Sequence, residues 1–377
     1  MGVDVSNKIR VGVLGASPER GWAARAHIPA LRTLPEFELT AVGTSRRDSA
    51  ERAARVFGAA HACTDARELA EHPEVDLVVI TVKVPAHTEL IAAAQAAGKH
   101  VYCEWPLTRT TAEAAAAAAL AADSDRRHVV GLQARLSPAV RRARALLAEG
   151  YVGQVVSATV YAARGKGADG RIPQWAAYTL DADNGAGLLE VAGGHTLDAL
   201  EYLIGDLTAL TADLAVRHPR LVVAESGEPV AATSPDHLLL HGVTAGGAVV
   251  SAHIHDGKLT DGRTRIEISG TEGDLVVVSA PPSGPGGIQM SDLRVLGSRG
   301  PDSTWQDLTE SPTGALPVEV RNVAALYARL ATDLRTGERT VPDFAAALHL
   351  HRLLDTIRHC AATGTRTETQ PRCPEVS

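Results

Sequence analysis

At 377 residues and 39.4 kDa, the chain is long for one hydrophobic core, and two domains are expected. A hydrophobic fraction of 45% and a mean hydropathy of −0.02 describe an ordinary globular composition. A net charge of −7 with scattered Lys and Arg offers no basic stripe for nucleic acid or an anionic membrane, and no apolar run reaches the roughly 18–20 residues that span a bilayer.

The segment Met1–Arg10 lacks the apolar core of a signal peptide. Met1–Ser6 fits the loose myristoylation pattern, but a frayed tail ahead of a strand is the plainer reading, and a cytoplasmic location is expected. Cys63, Cys103, Cys360 and Cys373 are dispersed without a CxxC pair and read as reduced thiols with no metal role.

From residue 8 to about 130, short apolar runs alternate with helical stretches. Strands are expected at Ile9–Leu14, Phe37–Val42, Val75–Val82, Lys99–Cys103 and His128–Gln133. Helices are expected between them at Trp22–Thr33, Ser49–Phe57, His87–Ala97 and the alanine-rich Thr111–Ala122. That alternation predicts parallel βαβ units, hence an α/β Rossmann domain over 1–133. A helix at Ser137–Ala148 then ends at Gly150, and the pattern changes. Strands at Val155–Ala163, His237–Val243, Val249–His255, Ile266–Ser269 and Asp274–Val278 follow without intervening helices. The turns Ala245-Gly246-Gly247 and Thr271-Glu272-Gly273 read as hairpins, so 134–377 is expected to be an α+β domain with a mainly antiparallel open sheet. Ser279–Gly300 reads as a long surface loop or hairpin. Helices at Val318–Thr336, capped by Gly337, and Phe344–Thr363 end the fold and are expected to pack back.

The first strand runs into Gly15-Ala16-Ser17-Pro18-Glu19-Arg20-Gly21, and a helix starts near Trp22. Such a turn aims backbone N–H groups at a pyrophosphate, although Ser17 stands where a second glycine belongs and the loop is about two residues longer than usual. The second strand ends without the carboxylate that reads an adenosine ribose. It carries Ser45, Arg46 and Arg47 instead, a set suited to a 2′-phosphate or, alternatively, a solvated charge cluster at the next helix start. NADP is therefore preferred over NAD.

The run Gly98-Lys99-His100-Val101-Tyr102-Cys103-Glu104-Trp105-Pro106-Leu107 resembles the signature of the glucose–fructose oxidoreductase, inositol dehydrogenase and MocA family. Asp76–Ile80 with His87, Gln133-Ala134-Arg135 with Pro138, Gly150-Tyr151-Val152-Gly153, Gly185-Ala186-Gly187 through His195 and Asp198, and Gly270–Gly273 follow in family order over most of the chain. The resemblance implies that Thr81, Val82, His87, Glu104, Pro106 and Gln133 complete the cofactor site. It also implies an open sheet that joins copies into a homodimer or homotetramer. The family's catalytic lysine falls on Trp105, its catalytic carboxylate on Val191, and the proline after the third strand on Lys83, leaving His195. Trp105, a Gly-Trp-Ala at the first helix and the lengthened loop are similar to the subgroup of the yeast galactose-pathway repressor, a member that regulates by protein contact.

An indole N–H donates but does not titrate, so Trp105 suits an apolar wall or a platform for a sugar ring. His195 is the remaining acid/base, and Asp198, at i+3, either orients its ring or serves the structure. Lys83 and Lys166 are the amines that could replace the missing lysine, each also readable as a solvated surface residue. Trp175 and Tyr178 line the sugar pocket or pack in the core. His253 and His255 share one strand face, read as an interface, and no metal is assigned. Three functions follow: an NAD(P)-dependent oxidoreductase acting on a sugar, cyclitol or sugar-like metabolite, a non-catalytic NAD(P)-binding sensor, or redox-neutral elimination or glycoside cleavage with a retained cofactor.

Overall fold

A computed structural model describes residues 8–280, 286–300, 304–310 and 316–370. Met1–Ser6, Cys373 and residues 281–285 of the Ser279–Gly300 stretch lie outside the described residues. The chain divides into two compact units, one from residues up to Gln133 with Leu316–Leu348, the other from the described residues of Ala134–Ala315 and from His349 onward.

The first unit is built on β1 (Ile9–Leu14), α1 (Ile28–Arg32), β2 (Phe37–Gly43), α2 (Arg47–Phe57), β3 (His61–Cys63), α3 (Ala66–Glu71), β4 (Leu77–Ile80), α4 (His87–Ala96), β5 (His100–Glu104), α5 (Thr111–Ala122) and β6 (His128–Gly131). All six strands are parallel in the order β3-β2-β1-β4-β5-β6. That is the doubly wound order of dinucleotide folds. Val78, Val79 and Ile80 on β4, with Val101 and Tyr102 on β5, are fully buried, as strands covered on both faces must be.

The helix expected at Trp22–Thr33 is two pieces. Ala23–His27 is a π-helical turn, in which Ile28 N–H reaches back five residues to Ala23 O, before α1 begins. Pro29 in the first turn of α1 has no N–H to continue an unbroken α-helical ladder.

The second unit contains α6 (Pro138–Ala148), β7 (Val155–Ala163), β8 (Arg171–Ile172), α7 (Gly194–Ile204), β9 (Leu207–Ala215), β10 (Arg220–Val223), β11 (Pro229–Ala231), β12 (His237–Thr244), β13 (Val249–His255), β14 (Arg263–Gly270), β15 (Gly273–Ser279), β16 (Leu293–Arg299) and β17 (Gln306–Asp307). Its large sheet runs β17-β16-β15-β14-β7-β13-β12-β9-β18, where β18 is Thr367–Glu368. Only the β7–β13 pair is parallel. β8, β10 and β11 form a small second sheet over Ile172, Ala176, Leu221 and Val223. Within Ser279–Gly300, β16 pairs antiparallel with β15, so part of that stretch is a strand.

The closing helices are α8 (Val318–Thr336), ended by Gly337 at φ 85°, and α9 (Phe344–Thr363). Leu316–Leu348 belongs to the first unit, a return that a single cut after residue 133 leaves out. Its anchor is Tyr327 of α8, fully buried against Phe37, Tyr102 and His27 at ring-centroid distances of 5.3, 5.1 and 5.7 Å.

Candidate functional site

In the first unit, the end of β1 is shaped for close backbone approach. Gly15 has φ +90° and Gly21 φ +107°, conformations that side-chain-bearing residues rarely adopt. A Cβ on Gly15 would lie 2.9 Å from both Thr81 Oγ1 and Val82 Cγ1. Gly15 N–H donates to Gly43 O at 2.9 Å, and Thr81 Oγ1 donates to Leu14 O at 2.8 Å, so the loop is clamped between the ends of β2 and β4. Ser17 is half-buried inside it. The helical turn after Trp22 starts with N–H groups that have no partner within the helix.

Trp22 Nε1 and Gln133 Oε1 are among the buried polar atoms of the described residues that have no hydrogen-bond partner. The glycine cradle and these orphaned atoms fit a dinucleotide: Gly15–Gly21 would hold its pyrophosphate, and Thr81 and Val82 would border it.

Ser45, Arg46 and Arg47 are exposed beyond β2. Arg46 pairs with Asp48 at 3.4 Å, while Arg47 pairs with Glu51 at 3.0 Å and donates to Ala62 O at 3.3 Å. Both guanidinium groups stand at the N-terminal end of α2, where an anion is favoured.

Glu104 ends β5 and accepts from His27 Nε2 at 3.0 Å. A carboxylate only accepts, so Nε2 carries a proton, and His27 Nδ1 shares a 2.7 Å hydrogen bond with Tyr327 OH. Gly131 leaves room for this carboxylate, since a Cβ there would lie 2.5 Å from Glu104 Oε1 and displace it. Trp105 and Pro106 are buried.

His87, expected at the cofactor, is a clamp: it is 1% exposed and touches three backbone carbonyls. Nε2 donates to Val82 O at 3.0 Å, and Nδ1 sits 3.0 Å from Pro106 O and 3.3 Å from Cys103 Sγ. Leu107 O lies 3.2 Å from the same Nδ1, and burial holds this imidazole below its ordinary pKa. It thus ties the Val82 loop to the Trp105–Pro106 segment. Lys83 is exposed at the start of the turn before α4.

In the second unit, His195 is 3% exposed in the first turn of α7. A π-helical turn, Leu189–Gly193, precedes it, and Gly194 N–H reaches back five residues to Leu189 O. Asp198 is 1% exposed and gives both carboxylate oxygens to Arg135, with Nε at 3.1 and 2.9 Å and Nη2 also on Oδ1. This is the structural role: the guanidinium, not the His195 ring, takes the carboxylate.

Lys166 follows β7 and donates to Thr179 Oγ1 at 2.5 Å. Burial, and then the charge of Arg164, lower its pKa to about 8. The surrounding crevice is lined by Thr179, His218, Ser234, Asp236 and Asp256. Asp256 is held by Arg164 at 2.7 and 2.9 Å, while Asp236 accepts from His218 and His237, each at 2.8 Å. Tyr178 is half-buried, and Trp175, at 62% exposed, packs into no core.

Sequence reasoning missed Glu190, which is 5% exposed, accepts from Gly187 N–H at 2.8 Å and pairs with Arg358 at 2.6 Å. Counting in α-helical turns back from His195 stops at Val191. The adjacent Gly193-Gly194 was the only local signal of a wider turn. On the large sheet, His237 and His255 stack at 5.1 Å, with His253 4.6 Å from His255.

Residues 9–132 match the family model described as an oxidoreductase family with an NAD-binding Rossmann fold, and residues 138–279 match that of the Gal80p C-terminal domain. The chain is 34% identical over 251 residues to the dehydrogenase aclE of Aspergillus oryzae, covering 63% of this chain and 67% of that protein. It is 28% identical over 295 residues to levoglucosan dehydrogenase of Pseudarthrobacter phenanthrenivorans, covering 71% and 73%. The crystal structure of a super-repressor mutant of Gal80p from Saccharomyces cerevisiae shares the fold, with a TM-score of 0.85 and 24% identity over 96% of this chain and 98% of that one. No helix among the described residues is long and apolar enough to cross a membrane.

Proposed function

Because this chain belongs to the glucose–fructose oxidoreductase, inositol dehydrogenase and MocA family of NAD-binding oxidoreductases, we propose that it oxidises or reduces a sugar, a cyclitol or a sugar-like metabolite with NADP in preference to NAD. The observation that carries the reading is the Gly15–Gly21 cradle at the carboxyl end of β1 in a 3-2-1-4-5-6 parallel sheet. Arg46 and Arg47 support the NADP preference, since a 2′-phosphate would draw them from their exposed partners Asp48 and Glu51.

The nicotinamide, when bound, supplies hydride transfer. The chain must then move the proton of the reacting hydroxyl, and His195 is the residue we assign to it. An i→i+5 turn sets residues five apart on one face, so Glu190 takes the place beneath His195 that the α-helical count gives to Val191. Lys166, with a pKa near 8, is the amine suited to hold or relay a substrate proton in place of the family lysine. Trp105, buried and without a titrating group, and the half-buried Tyr178 are the aromatic residues we assign to substrate contact. Copies of the chain pair through the open face of the large sheet, where Val156, Leu239 and Val249 are exposed.

Trp105 in place of lysine also favours a second reading, a nicotinamide-binding regulator without turnover. The experiment is a turnover assay with NADP⁺, NADPH, NAD⁺ and NADH against sugars, ketosugars and cyclitols, with His195→Ala alongside. Turnover that collapses in the variant, with a higher kcat/KM for NADP, is expected. Tight cofactor binding with no turnover on any substrate favours the regulator.

A further inference from the structure

Away from the nucleotide loop, the first unit carries a second convergence of ligating side chains that the reaction does not use. His61 opens β3, the edge strand of the parallel sheet. His72 and Glu74 lie two residues apart on the connection from α3 to β4. A ring nitrogen from each histidine and a Glu74 carboxylate oxygen all lie within 4.8 Å of one another. The two imidazole centroids are 4.0 Å apart, and His61 Nε2 is 2.5 Å from Glu74 Oε2. Both histidines are half-buried and Glu74 is exposed, so the donors meet at the water's edge.

We infer that His61, His72 and Glu74 bind a divalent transition-metal ion of the zinc class. Two imidazoles and one carboxylate are a borderline donor set, which Zn²⁺ takes at about 2.0–2.2 Å in a tetrahedron with the fourth position left to water. Tetrahedral geometry at such bond lengths puts neighbouring donors about 3.4 Å apart. The His61–Glu74 contact therefore opens by about 1 Å, and with no pair above 4.8 Å none has to close by more than about 1.4 Å, which side-chain rotation supplies.

The backbone beneath is already fixed. Lys99 Nζ donates to His72 O at 3.1 Å and to Val75 O at 2.7 Å, and Thr40 Oγ1 donates to Glu74 O at 2.9 Å. His61 stands in parallel register with Ala41 of β2. Ligands on a frame held in this way lose little freedom on binding, which separates them from histidines scattered on a surface. The ion ties the sheet's edge strand to the α3–β4 connection.

The test is calorimetric titration of the EDTA-treated full-length protein with ZnSO₄, with Co²⁺ ligand-field absorption as a second readout. One saturable equivalent is expected. His61→Ala and His72→Ala should each weaken it at least about tenfold, and Glu74→Gln should weaken it less. His253→Ala, in the separate histidine group on the large sheet, should leave it unchanged. Unaltered melting of the variants in EDTA shows that the fold is kept. Absence of saturable binding, or variants at 61 and 72 that bind as the parent does, overturns the assignment.

Discussion

Replacing Arg135 with methionine tests the role assigned to Asp198. The carboxylate is 1% exposed and all of its observed hydrogen bonds come from the Arg135 guanidinium, itself stacked 5.5 Å over the Tyr202 ring. Methionine keeps the aliphatic volume and removes the charge, so Asp198 is left buried without a counter-ion. Breaking one side of such a pair costs about 3–5 kcal/mol. For a unit of this size each kcal/mol moves the melting temperature by about 2–4 °C, so a fall of about 6–20 °C is expected. Removing both charges is the informative control: Arg135→Met with Asp198→Leu should recover most of the loss, because apolar replacement of a whole buried pair is close to neutral. The assay is thermal unfolding followed by circular dichroism at fixed pH and salt. The reasoning is refuted if the single variant melts with the parent, or if the double variant is no better than the single one.

Lys166→Met tests the perturbed amine. Its folded pKa, near 8, lies below the unfolded value of about 10.4, so the unfolded chain holds more protons between those two values. Stability should therefore gain a rising contribution from about pH 8 to 10, absent below it, and the variant should lose that rise in chemical denaturation measured across the window. Where Lys166 also relays the substrate proton, the limb of the pH–rate profile near 8 disappears with it. Gly15→Ala forces a side chain into a left-handed conformation at a cost of about 1–2 kcal/mol and drives its Cβ to 2.9 Å from Thr81 and Val82. Nicotinamide dinucleotide binding by calorimetry should be lost while the fold survives, and unchanged affinity would remove the pyrophosphate role from this loop.

What the sequence disclosed, and what it withheld, divides along the range of the interaction responsible. Local signals located β7, α5, α8 and α9 to the residue: apolar periodicity for β7, α8 and α9, and the helix propensity of alanine for α5. Short elements escaped: β3 is three residues and α3 six, too few to establish a period, although Asp65 caps α3 with bonds to Arg67 N and Glu68 N. The strands β9 to β11 lie in mixed sequence and are strands because neighbours pair with them.

The site is divided in the same way. Gly15, Arg46 and Arg47 could be proposed from the sequence because a βα turn is a local device. The partners that decide what the polar residues do are not local. Arg135 reaches Asp198 across 63 positions and Arg358 reaches Glu190 across 168, so no spacing rule announces either pair. The two π-helical turns show how much follows from a single residue. The second one sets His195 five residues after Glu190 on a widened turn, so under the proposed function Glu190, not Val191, is the position at which to test for a carboxylate acting with the histidine.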